Sequence, residues 1–77
     1  MDNKALAINV GAMVRQLRLA ANMSQEEFAD CCSVHRTYIG SIERGEKAIT
    51  LETAQKIVDA LNISLSQFFQ KLEENSN

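Results

Sequence analysis

The chain has 77 residues, 45% of them hydrophobic, with no proline and no tryptophan. That suits one small globular domain spanning residues 1–77, near the size where a single core leaves a margin of only about 3–5 kcal/mol. A net charge of −2 and a pI near 5.2 weigh mildly against a nucleic-acid binder, for which basic domains are the norm. No apolar run is long enough for a signal peptide or a membrane span, so no membrane partner is expected and the chain reads as cytoplasmic.

In chain order, Met1 to Lys4 are polar and are expected to fray, as is the polar tail from Glu73 to Asn77. Leu6, Val10, Met13, Val14, Leu17 and Ala21 repeat at helical spacing and predict an amphipathic first helix. It should end near Asn22, a residue that tolerates the left-handed backbone after a last helical turn. Ile8 lies off this stripe, facing either a later helix or solvent. Arg15 and Arg18 stand one turn apart and project in neighbouring directions.

Ser24 is a natural N-cap, and Glu27 three residues on completes a capping box in which hydroxyl and carboxylate each satisfy a free helix-end amide. Phe28, Ala29 and Cys32 then share one face of a short second helix. Ser33 and Val34 break the period, and His35 opens a third helix. Ser33 falls in the turn between them, where a positive φ would cost serine more than glycine, and imidazole is a weaker N-cap than hydroxyl or carboxylate.

In the third helix Ile39 and Ile42 point inward, while Arg36, Thr37, Gly40, Ser41 and Arg44 share the opposite, open face. A short helix with arginine and hydroxyls on its open side suits the major groove of DNA, where a guanidinium can bridge guanine O6 and N7. Arg36, Thr37, Ser41 and Arg44 are the candidate base readers. Gln25 at the start of the second helix, His35, Tyr38 at the edge of the open face, and Lys47 are candidates for the sugar-phosphate backbone. For Tyr38 the alternative is a half-buried aromatic at the domain edge. Arg15, Arg18, Arg36, Arg44 and Lys47 gather around these elements, so the local field outweighs the total charge.

Gly45 is placed to end the third helix in a left-handed cap. Thr50 caps a fourth, with Leu51, Ala54, Ile57, Val58 and Leu61 as its buried stripe. Asn62 ends that helix and Ser64 caps a fifth, whose Leu65, Phe68, Phe69 and Leu72 follow the i, i+3, i+4, i+7 spacing. This last stripe is larger than one small core covers. Part of it either packs inside the subunit or meets a second copy in a two-fold dimer seam.

The segments SQEEFA (24–29), VHRTYI (34–39) and IERG (42–45) resemble the Cro/repressor-type helix-turn-helix family, over a stretch from about Val10 to Phe69. RTYI followed by IER is most similar, within that family, to the controller proteins of restriction-modification systems. The resemblance implies an all-α, five-helix lambda-repressor-like DNA-binding domain. It also implies a structural ion pair between Arg18 and Glu43, a phosphate clamp at Gln25, and a dimer contact on the fifth helix through Leu65, Phe68, Phe69 and Leu72.

The function expected is a sequence-specific transcriptional regulator acting as a homodimer on a palindromic double-stranded operator. An antitoxin or phage-type repressor would share the motif. A protein-interaction module is the alternative from another class, favoured by the acidic balance but opposed by the basic, hydroxylated open face. Enzymatic function is not expected, because His35 is the only histidine and no nucleophile sits in a triad or elbow pattern. Adjacent Cys31 and Cys32 cannot staple distant segments and point to a reducing compartment, one thiol buried and one half-exposed. Neither CxxC nor HxxxH spacing occurs, so no metal, cofactor or small-molecule substrate is expected.

Overall fold

In a computed structural model describing residues 3–75, the chain forms five helices and no strand. They are α1 (Asn3–Ala20), α2 (Gln25–Cys32), α3 (Arg36–Glu43), α4 (Leu51–Leu61) and α5 (Leu65–Asn75). Of the segments expected to fray, Asn3, Lys4 and Glu73 to Asn75 are helical; Met1, Asp2, Ser76 and Asn77 lie outside the described residues.

The stops share one device. Asn22, Ser33, Gly45 and Asn62 all take positive φ, between 57° and 74°. After each, the chain closes a Schellman pair; at the end of α3, for example, Glu46 N–H donates to Ser41 O at 2.9 Å and Gly45 N–H to Ile42 O at 3.0 Å. Ser33 thus bears the left-handed turn where the motif favours glycine, with its own N–H on Asp30 O and the Val34 N–H on Ala29 O.

The core joins all five helices around Val14, Phe28, Ile39, Ile42, Ile57, Val58 and Phe68, each fully buried. Three residues assigned to inward stripes sit elsewhere. Leu51 is 73% exposed, because it is the first residue of α4 and side chains there lean back past the helix start, away from the core. Thr53 is buried instead, its hydroxyl accepting from Thr50 Oγ1 at 3.1 Å. Leu6 is 40% exposed at the open end of α1, and Ala21 lies past the last turn of that helix, in solvent.

The α5 stripe is also divided differently from the dimer seam expected of it. Phe68 is fully buried in the subunit's own core, and Leu72 is 8% exposed. Phe69 is partly exposed, its ring edge-on to Phe68 with centroids 5.5 Å apart, and Leu65 is half-buried. A helix face has room for only one inward row here; Phe68 and Leu72, four residues apart, take it.

α1 crosses α3 at Gly11. A Cβ at position 11 would stand 2.1 Å from Ile42 O, so the two backbones touch where any side chain would part them. This contact sets how far α3 stands out from the body of the domain.

Candidate nucleic-acid interface

α2 and α3 are built as two capped helices around the Ser33 turn. Ser24 Oγ accepts the Glu27 N–H at 3.0 Å, and the Glu27 carboxylate accepts the Ser24 N–H at 3.0 Å. These bonds hold the Glu27 carboxyl below the usual carboxylate range. His35 caps α3 through Nδ1, which accepts the Thr37 N–H at 3.1 Å and also meets Thr37 Oγ1. The imidazole and the Thr37 hydroxyl are thereby tied to the helix start.

With Ile39 and Ile42 buried, α3 presents Arg36, Thr37 and the terminal Arg44 to solvent and Ser41 half-exposed. Gly40, expected on that open face, is itself buried; a Cβ there would stand 3.1 Å from Arg44 Nη1 and 3.7 Å from Gln25 Oε1, so these two side chains roof it over. Ser41 Oγ donates to Thr37 O at 3.0 Å. Arg36 Nη1 lies 3.8 Å from Glu26 Oε2, both side chains well exposed. Arg44 is held more closely, donating through Nε to Glu46 Oε2 at 2.9 Å and through Nη2 to Glu46 Oε1 at 3.2 Å. The pair raises the Arg44 guanidinium and lowers the Glu46 carboxyl from their ordinary values.

Beneath this surface Arg18 grips Glu43. Nε donates to Oε2 at 2.7 Å and Nη2 to Oε1 at 3.0 Å, while Nη1 donates to Met23 O at 2.8 Å. The two side chains are 8% and 3% exposed, so Arg18 belongs to the frame of the motif and not to its surface cations. The hydrogen bond and charge of Glu43 raise the Arg18 guanidinium above its ordinary value against the cost of burial. Glu43 Oε1 also accepts from Gln25 Nε2 at 3.1 Å. One carboxylate therefore joins α1, the first residue of α2 and the last of α3.

Tyr38 is half-buried, its hydroxyl 3.4 Å from Thr53 Oγ1 on α4 and its ring against the core. Lys47 is exposed in the loop, and Arg15 is exposed on α1. Ile8 is 48% exposed, and it stands beside the loop, where a Cβ at Gly45 would be 2.8 Å from Ile8 Cγ1. Cys31 is exposed and Cys32 buried, and burial, with the neighbouring Cys31, pushes the Cys32 thiol up to about 11. Gly11, Gly40 and Glu46 shape the surface without having been singled out as site residues; the signal for Gly11 was a glycine inside a helical repeat, which usually marks close packing.

The helix-turn-helix family matches residues 14–68 of this chain. The chain belongs to that family. It is 50% identical over 54 residues to control protein C.BamHI of Bacillus amyloliquefaciens, covering 69% of this chain and 67% of that protein. Control protein C.MunI of a Mycoplasma species is 36% identical over 70 residues, covering 90% and 95%. The restriction-modification controller protein C.Esp1396I, solved as a tetramer with its natural 35-base-pair operator, has a TM-score of 0.84 at 31% identity, covering 91% of this chain and 92% of that one. Within the family the chain stands with the control proteins, as the RTYI and IER segments implied.

Proposed function

We propose that this helix-turn-helix protein is a controller-type transcriptional regulator that binds an operator in double-stranded DNA as a homodimer, with no catalysed step. α3 enters the major groove. Arg36, Thr37, Ser41 and Arg44 read base edges, and Gln25, His35, Lys47 and the edge of Tyr38 lie along the sugar-phosphate backbone. The observation that carries this reading is the bracing of α3: its inner face is buried, its C-terminal Glu43 is locked to Arg18, and its outer face turns Arg36, Thr37 and Arg44 to solvent with Ser41 half-exposed. Likeness to C.Esp1396I, solved on its operator, supports the same use here.

The dimer seam is assigned to Leu51 and Phe69, with the mostly buried Leu72 lining the same groove, in place of Phe68 and Leu65. Leu51 and Phe69 line one apolar groove with Leu6, Ala48 and Ile49, formed where α1, α4 and α5 meet. A second copy covering this groove would remove its exposed leucines from water and pair two recognition helices. Among the described residues no helix is long and apolar enough to cross a membrane, in keeping with action in the cytoplasm.

The test is selection of bound sequences from random duplex DNA by the purified protein. An inverted repeat is expected, with half-site centres about 34–36 Å apart or a multiple of that. Recovery of no preferred sequence would overturn the reading.

A further inference from the structure

Glu46 is three residues past the recognition helix and hydrogen-bonds Arg44, a candidate base reader, at two points. A guanidinium offers two bidentate edges, the side formed by Nε–H and one Nη2–H, and the end formed by Nη1–H and the other Nη2–H. Glu46 takes the side edge, at 2.9 and 3.2 Å. The group lies over Gly40, where a Cβ would crowd Nη1 at 3.1 Å. The absence of a side chain at position 40 thus lets the guanidinium settle against α3. Arg36 provides the contrast: its carboxylate neighbour is 3.8 Å away with no hydrogen bond, so neither edge of Arg36 is assigned.

We propose that Glu46 is a positioning and specificity-determining residue, whose carboxylate occupies the Nε–Nη2 edge of Arg44, holds the guanidinium in one orientation over Gly40 together with Ser41 Oγ at 3.5 Å from Nη2, and weakens the pull of Arg44 on phosphates of any sequence. The inference rests on the reading of Arg44 as a DNA-contacting residue. Phosphate contacts supply the sequence-independent part of the affinity through charge and counterion release, and a carboxylate on the same guanidinium reduces that part. A base edge is recognised by directed hydrogen bonds and needs a guanidinium in one fixed orientation, which the two-point contact supplies. Glu46 therefore costs non-specific binding more than specific binding, and the acidic balance of the whole chain acts in the same direction.

The experiment compares wild type and Glu46→Gln by fluorescence anisotropy over a range of salt concentrations. Two duplexes are used: one carrying a sequence selected from random DNA by the wild-type protein, and a scrambled duplex of equal length. Glu46→Gln should bind the scrambled duplex about two- to fivefold tighter, the span of a surface ion pair, with a salt slope steeper by about 0.9, the increment for one added phosphate contact. The selected duplex should gain less, so the ratio of the two affinities falls. In an Arg44→Ala background the same change should lose most of its effect. An unchanged ratio and slope, an equal gain on both duplexes, or a full effect without Arg44 would overturn the role of Glu46. If the wild type selects no sequence at all, the DNA-reading function fails first and this inference with it.

Discussion

Arg18 on α1 and Glu43 on α3 form a two-point ion pair at 2.7 and 3.0 Å, buried enough that neither charge has water to fall back on. Because Gln25 shares the same carboxylate, the pair ties the packing of the domain to the geometry of the candidate DNA surface. Breaking it from one side leaves a buried charge without its counter-ion, which typically costs about 3–5 kcal/mol. Arg18→Ala and Glu43→Ala should each lower stability by about that amount in urea denaturation followed by circular dichroism. Arg18→Met combined with Glu43→Leu should lose markedly less than the two single losses added together; an additive result would show that the two charges are not coupled.

Gly11→Ala tests the contact between α1 and α3. Alanine gains about 1 kcal/mol of helix propensity over glycine, but its Cβ would stand 2.1 Å from Ile42 O, and backbone cannot yield as a flexible side chain does. A net loss of about 2 kcal/mol is expected, with a lower denaturation midpoint. A stabilised variant would mean that the helices separate freely at this crossing.

The thiols should behave differently despite being neighbours. Cys31 is exposed, while Cys32 is buried with its thiol pushed up to about 11. An aromatic disulfide reagent at pH 8 should therefore modify one thiol rapidly in the folded protein and two after denaturation. Since the folded Cys32 ionises at higher pH than the ordinary value of 9.0, its contribution is intact below pH 9. It is lost as the pH climbs from 9 towards 11, where the unfolded thiol releases its proton first. Rapid modification of both thiols in the folded state would contradict the burial of Cys32.

The division of α5 and the placement of Leu51 predict opposite outcomes for apolar residues. Leu51→Asp alters a side chain that is 73% exposed, so the variant should stay helical by circular dichroism yet sediment as a monomer at micromolar concentration. Phe68→Ala empties the core and should cost about 3–5 kcal/mol, leaving little folded protein at this chain length. A folded Leu51→Asp that still dimerises would move the seam off the groove.

Much of this arrangement is legible in the sequence, because short-range chemistry writes it. Ser24 with Glu27, Thr50, Asn62 and Gly45 mark helix ends through local hydrogen bonds and backbone preference, and all of them do so in the fold. The periods of Ile39 and Ile42, and of Ile57 and Val58, likewise fall inward. What periodicity cannot supply is depth. Leu51 keeps the helical spacing of its stripe but precedes the first full turn, and Phe68 and Phe69 are adjacent residues whose sorting depends on where α1 and α4 lie. The Arg44–Glu46 contact lies just past the end of α3, so no helical spacing announces it.

Base reading by the open face of α3 depends first on Arg36. A bidentate arginine contact to guanine supplies about 1–3 kcal/mol of discrimination, and Arg36 is exposed with no hydrogen bond to its nearest carboxylate. The measurement is the affinity ratio between the selected duplex and a scrambled duplex in a shift assay at fixed salt, for wild type and Arg36→Ala. The ratio should fall by about five- to 150-fold, the same 1–3 kcal/mol expressed as an equilibrium constant, with thermal unfolding unchanged. A variant that keeps the wild-type ratio while folding normally would contradict the claim.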